Sequence, residues 1–140
     1  MRTLTTLLVV LSITWANNKV HAQDSTKMAK VYFVRSTGYE GSLLTFHCFV
    51  DSTLMCGLSN NQYSTHFVTP GKHVININAH SKKFTNNNKS LTISAEAGQS
   101  YYIKIMPVQG YDNKVKSVSV AETTIRPIIN KCELKTNCLD

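Results

Sequence analysis

Apolar and polar residues alternate along most of the chain in short runs, and the runs are separated by clusters of Gly, Asn, Ser, Asp and Pro. That is the pattern of half-buried strands joined by turns. Lys30-Val31-Tyr32-Phe33-Val34-Arg35 reads as the first strand, rich in β-forming residues. Residues 42–50 read as the second. Leu44, Phe46, Cys48 and Val50 fall on one face and Leu43, Thr45, His47 and Phe49 on the other, so the strand is expected to be central and covered on both sides. Asp51-Ser52-Thr53 turns the chain into a return strand at 54–58, and Ser59-Asn60-Asn61-Gln62 turns it again into 63–68.

The next corner is Pro70-Gly71. Pro presets φ for a first turn position and Gly supplies φ > 0 for the second, so a hairpin is expected here, at the centre of the domain, with 72–79 as its second arm. In that arm Ile75, Ile77 and Ala79 point inward, while Asn76, Asn78 and then His80 form a wet face. Residues 80–88 are polar and read as an exposed loop. Strands follow at 90–94, 101–106 and 114–120. In the last, Val115 is out of phase with Val118 and Val120, which predicts a bulge. Residues 122–131 read as a short helical piece, capped by Thr123 or Thr124, with Pro127 in its first turn. The tally is an all-β fold, a single antiparallel sandwich of seven to eight short strands with a short C-terminal helical turn.

The first residues break the alternation. Arg2 precedes an apolar run that includes Leu7, Leu8, Val9, Val10, Leu11 and Ile13, and a polar stretch ends in Val20-His21-Ala22. This reads as a secretory signal peptide over 1–22, cleaved after Ala22. An uncleaved anchor is the poorer reading, because the apolar run is short for a span. The remaining chain divides into a flexible lead-in at 23–29, the sandwich at 30–120 and a C-terminal extension at 121–140. The expected product is exported, periplasmic or extracellular, soluble after cleavage and without a transmembrane segment.

Composition narrows the function. The 140 residues suffice for one domain, and 42% hydrophobic with 16% charged residues is the balance of a folded one. The net charge is +7, but the basic residues are scattered, with only Lys82-Lys83 and Lys114/Lys116 close together. No basic groove interleaved with aromatics is visible, and nucleic acid is not the expected partner. The acids Asp24, Glu40, Asp51, Glu96, Asp112, Glu122, Glu133 and Asp140 fall in turns and ends, where a glycosidase would need a facing pair. No nucleophile-elbow or Gly-rich phosphate loop is present. A non-catalytic protein without cofactor or resident metal is the expectation. His47, His66, His73 and His80 lack metal-site spacing in sequence, although His47 or His66 could meet Cys48 or Cys56 across neighbouring strands.

All four cysteines, Cys48, Cys56, Cys132 and Cys138, lie beyond the leader. An even count in an exported small domain favours disulfides, with buried free thiols as the other reading. Local spacing favours Cys132 with Cys138, and Cys48 with Cys56. The second pair depends on register: a three-residue turn at 51–53 aligns them, and a two-residue turn does not.

The segments 30–35, Phe49-Val50-Asp51, Thr69-Pro70-Gly71-Lys72-His73 and Glu96-Ala97-Gly98-Gln99-Ser100-Tyr101-Tyr102-Ile103-Lys104 occur in this order. Together they resemble a bacterial family of small exported domains, the domain-of-unknown-function family 2846. The Pro-Gly-Lys-His and Ala-Gly-x-x-Tyr-Tyr pieces are also similar to PEGA-type sandwich modules. The resemblance covers residues 29–120 and implies an envelope-facing sandwich with no established activity and no catalytic residues to transfer. The chain departs from the family in having Asp51-Ser52-Thr53 where Asp-Gly is usual, and Gln23 where a lipoprotein cysteine often stands.

Two functions follow from this reading: a protein-binding or assembly module of the cell envelope, or a sandwich that binds carbohydrate or another polymer. A His/Cys metal-binding protein is a third. Sugar binding would use exposed aromatics, and Tyr39 and Tyr111 are the candidate patch if the loops at 36–41 and 108–113 converge. Tyr63 also lies near a loop. The only tryptophan, Trp15, leaves with the leader, which favours the assembly reading.

Overall fold

The computed structural model describes residues 27–39, 41–79, 81–85, 90–108 and 115–138. In chain order it contains β1 (Ala29–Arg35), β2 (Phe46–Val50), β3 (Thr53–Leu58), β4 (Gln62–Val68), β5 (Gly71–Asn78), β6 (Leu91–Ala95), β7 (Ser100–Pro107), β8 (Val115–Val120), α1 (Glu122–Ile129) and β9 (Glu133–Leu134). The strands form a five-stranded sheet, ordered β8-β7-β1-β4-β9, and a four-stranded sheet, ordered β3-β2-β5-β6. The expected sandwich is present. The leader read at 1–22 lies outside the described residues, and so do Glu40, His80 and Tyr111.

The core forms where the inner faces meet. Val31 and Phe33 of β1 and Ile103 and Ile105 of β7 pack with Phe46, Cys48 and Val50 of β2 and Ile75 and Ile77 of β5. Each such large side chain contributes about 1.5–3 kcal/mol by leaving water. β2 is buried along its whole length, as a central strand covered on both faces should be.

The outer faces are covered too, and this corrects two expectations. Asn76 is 1% exposed rather than wet. Its neighbour across the ladder is Phe49, whose ring meets Phe84, and Asn78 donates to the Lys83 carbonyl and the Thr85 hydroxyl. Residues 83–85 thus fold back over this face. In β8 there is no bulge, and its pairing with β7 runs unbroken from Val120 to Val115. The out-of-phase valines serve two faces: Val115 enters the main core, and Val120 joins a second apolar cluster under α1.

Helix α1 makes that second cluster. Ile125, Ile128 and Ile129 stand at helical i, i+3, i+4 spacing and cover Val34, Tyr63 and Tyr102. Its N-cap is Ala121, with no side-chain cap, so neither threonine plays that part. Pro127 is the sixth residue rather than one of the first turn, on the exposed side. Glu122 and Arg126 pair one turn apart.

Two turns also differ from expectation. The Pro70-Gly71 corner closes no hairpin, because β4 pairs with β1 and β9 while β5 pairs with β2 and β6. The corner carries the chain from one sheet to the other. Turn chemistry fixes a reversal but not which partner the departing strand takes. The hairpin is β2–β3, closed by Asp51 and Ser52 alone, at φ 48° and 70°. Two positive φ values make this a type I′ corner, whose twist matches the strands it joins.

Strand β2 begins at Phe46, so residues 42–45 are not part of it. Arg35 is the cause. Its guanidinium is buried and donates to the carbonyls of Gly41 and Leu44, both at 2.5 Å, and of Leu58 at 2.6 Å. Carbonyls drawn inward at 41 and 44 bend the segment into turns. The parallel pairs, β1 with β7 and β4 with β9, depart from a purely antiparallel sandwich.

Candidate functional site

The C-terminal extension reaches back across the open side of the sandwich, between β3 at the edge of one sheet and β4 of the other. Glu133 and Leu134 pair parallel to Gln62 and Tyr63 of β4. The Glu133 amide donates to the Asn61 carbonyl at 2.9 Å, and the Lys135 amide to the Tyr63 carbonyl at 2.8 Å. This places Cys138 against β3, where it is disulfide-bonded to Cys56 with the Cα atoms 4.3 Å apart.

The expected pairings are therefore corrected. Cys48 and Cys56 are directly opposed in the ladder, despite the two-residue turn, because a register shift between Cys48 and Phe49 restores the alignment. Cys56 nevertheless bonds to Cys138, and Cys48 stays a buried free thiol whose pKa burial pushes far above its usual value. Cys132 does not bond Cys138: the two lie in different clusters, Cys132 under α1 and Cys138 against the main core. The Cys132 thiol meets the Arg35 carbonyl at 3.8 Å instead.

Beside the disulfide lies a cleft of about 540 Å³, lined by Met55 of β3, Thr65 and His66 of β4, and the tail from Leu134 to Cys138. His66 faces inward, with its ring 5.9 Å from that of Phe33, and its Nε2 lies 3.0 Å from the Ser64 hydroxyl. Burial lowers the pKa of His66, which favours the neutral ring. Among the described residues, one ligand atom each from Cys56, His66 and Cys138 lie within 4.8 Å of one another. The sequence allowed His47 or His66 to meet Cys48 or Cys56 across neighbouring strands; the structure brings His66 to Cys56 instead between the two sheets. The sequence offered no sign of Cys138, which depends on the path of the tail.

Of the tyrosine patch, Tyr39 is 95% exposed. Asn60 anchors the loop beneath it. Asn60 Oδ1 accepts from the Thr37 amide at 2.9 Å, and its Nδ2 donates to the Gly38 carbonyl at 2.7 Å. β1 and β7 are adjacent and parallel, so the chain leaves both at the same end of the sheet. Tyr111 itself lies outside the described residues.

A third set of side chains sits on the outer face of β1 and β4, past the footprint of α1. Phe67 is 49% exposed. The Lys30 ammonium lies 5.9 Å from its ring centre and 4.9 Å from that of Tyr32, which stacks on Tyr102 at 4.6 Å. Phe67 and Lys30 are direct partners in the β1–β4 ladder, a relation that spacing along the chain does not reveal.

The other two histidines among the described residues, His73 and His47, are structural. His73 holds the corner and is bound to Asp51. His47 lies beneath the outer surface of the four-stranded sheet, and its pKa is lowered by burial first and by Lys82 second, against a favourable backbone bond at Asn78. Its ring also limits what can stand at Gly57, where an added Cβ would lie 3.4 Å from His47 Cδ2 and 3.1 Å from Thr45 Cγ2. Among the described residues no helix is long and apolar enough to cross a membrane.

The model of a family described as "Protein of unknown function (DUF2846)" matches residues 25–119, which includes β1 to β7 and most of β8. No curated protein matches the chain. Helix α1, β9, Cys132 and Cys138 all fall after the matched segment. The chain belongs to the DUF2846 family.

Proposed function

We propose that this DUF2846 domain is a non-catalytic, exported module of the cell envelope that binds another protein, and that the outer face of β1 and β4 is its contact surface. The observation that carries this reading is Phe67. A large aromatic side chain stands half exposed beside a cation held over it, outside the part of that sheet face that α1 covers. Exposed aromatics with a neighbouring basic group are the anchors that protein interfaces favour. Export is supported by the leader pattern at 1–22 and fits a chain that carries a disulfide. The non-catalytic reading is supported by the use of the acids among the described residues. Asp51 is bound to His73 and to the Val74 amide, Glu122 to Arg126, and Glu96 and Glu133 lie exposed.

The test is a photo-crosslinking residue at position 67 in cells that export the protein. A discrete adduct, lost when Lys30→Glu is added, is the expected result. Absence of any adduct at 67, with a control position giving the same background, overturns the surface assignment. Tyr39, fully presented at the end of the sheet, favours polymer binding as the second reading. A glycan array on the purified protein separates the two, since reproducible binding lost on Tyr39→Ala moves the assignment to that end.

A further inference from the structure

The side chains that close the open side of the sandwich have a second use once their bond is opened. We propose that Cys56, Cys138 and His66, after reduction of the Cys56–Cys138 disulfide, form a binding site for a thiophilic d¹⁰ cation, Zn²⁺ or Cu⁺.

Three observations carry this. The three ligand atoms already lie within 4.8 Å of one another. In a tetrahedral thiolate site with metal–sulfur bonds of about 2.3 Å the two sulfurs sit about 3.7 Å apart, so they need only separate to ordinary contact. With His66 Nδ1 as the ligand atom, the Ser64 hydroxyl 3.0 Å from Nε2 would hold the ring in place, as the outer partners of metal-ligating imidazoles do. The adjoining cleft gives access from solvent and room for a further ligand, and Met55, a thioether, lines it. Thiolate, imidazole and thioether are the donors that select these ions. Relaxation is available on one side, because residues 135–138 follow β9 without regular structure.

The chemistry balances. Opening the disulfide takes two electrons and two protons, supplied by a dithiol that closes to its own disulfide. Binding the cation then releases both protons and leaves two thiolates on the metal. The oxidised chain offers the imidazole alone and holds no metal tightly. The pair thus alternates between a covalent clasp and a metal clasp at one place in the fold.

The experiment uses the full-length protein after leader removal, oxidised and reduced with a phosphine that departs as its oxide. Zn²⁺ and, separately, Cu⁺ are titrated against a competing chelator, and Co²⁺ is used for its thiolate charge-transfer band. The expected result is one equivalent bound by the reduced form and none by the oxidised. His66→Ala, which removes a ligand, should weaken binding by more than the about 10- to 100-fold that loss of an outer partner costs, and Cys138→Ser by more still, while Cys132→Ser leaves it unchanged. Circular dichroism is recorded throughout. If reduction unfolds the chain and the metal restores it, the site is supported by that coupling. Failure of the reduced protein to bind either ion, or to refold on adding it, overturns the proposal. So does binding that survives His66→Ala and Cys138→Ser together.

Discussion

His73 Nδ1 lies 2.6 Å from Asp51 Oδ2. The other ring nitrogen, Nε2, lies 2.7 Å from the Thr69 carbonyl oxygen. A carboxylate and a carbonyl can only accept, so both ring nitrogens donate and the imidazole is held as its cation. Burial opposes that charge. The bonds to Asp51 and Thr69, with the carboxylate's own charge, outweigh it and keep the pKa above the usual histidine value. The same contact joins two turns. The Asp51 carboxylate also accepts from the Val74 amide at 2.9 Å, so the β2–β3 hairpin tip is bound to the start of β5.

This pair predicts a pH dependence. The raised His73 pKa contributes stability fully below about pH 6.5, its unfolded value, and loses it as pH rises through the folded value. The Asp51 pKa is lowered, by the Val74 amide first and His73 after it, so its share is lost as pH falls below about 4 toward the folded value. The pair therefore helps most between those limits. Asp51 is half exposed, which screens the interaction to about 0.5–1 kcal/mol. Urea unfolding of wild type and Asp51→Asn at pH 5.5 and 8.5 should show a difference that shrinks at the higher pH. A difference that grows instead would show that the ring is neutral in the fold.

Arg35 predicts a large loss. The guanidinium lies 3.7 Å above the Phe46 ring, with burial lowering its pKa to about 10, still charged at neutral pH. Its listeners are backbone carbonyls of residues 41, 44 and 58 rather than an acid. Arg35→Met leaves those carbonyls unsatisfied and should cost about 3–5 kcal/mol by denaturant unfolding. Arg35→Lys keeps the charge without the planar fork and should recover only part. If Arg35→Met is as stable as wild type, the buried cation is not what bends 41–44.

Ser52 predicts a gain. It stands at φ 70°, in the left-handed region, where a residue with a Cβ is strained by roughly 1 kcal/mol. Ser52→Gly should raise stability by about 0.5–1 kcal/mol, with no change in the dependence on denaturant. A loss would mean that Ser52 supplies an interaction that outweighs its backbone strain.

The disulfide predicts dependence on redox state. Cys56 and Cys138 are 82 residues apart, and a loop of that size restricts the unfolded chain by about 4.5 kcal/mol in the chain-entropy model. Cys138→Ser without metal should lose up to that amount, and Cys132→Ser very little. Thiol mapping of the oxidised protein should find Cys48 and Cys132 free and Cys56 joined to Cys138. A Cys132–Cys138 bond would overturn the path described for the tail.

Local rules determined a good deal of this protein. The β-forming residues of 30–35 and 101–106 identified β1 and β7, and the doubly apolar rows of 42–50 identified the covered strand β2, because burial on a pleated sheet acts residue by residue. The order of short motifs pointed to the family. Pairing was beyond those rules. Pro70-Gly71 fixes a reversal, but whether β5 joins β4 or β2 is decided by which apolar faces close the core together. Val115 and Val120 looked like a break in phase until both faces of the sheet had cover. The tertiary structure alone brought Cys138 to Cys56, over a separation for which sequence spacing carries no signal. It also turned Arg35 from a strand-end charge into the buried group that shapes the following loop. Local chemistry says what each segment prefers, and only the shared burial of distant segments says which of them meet.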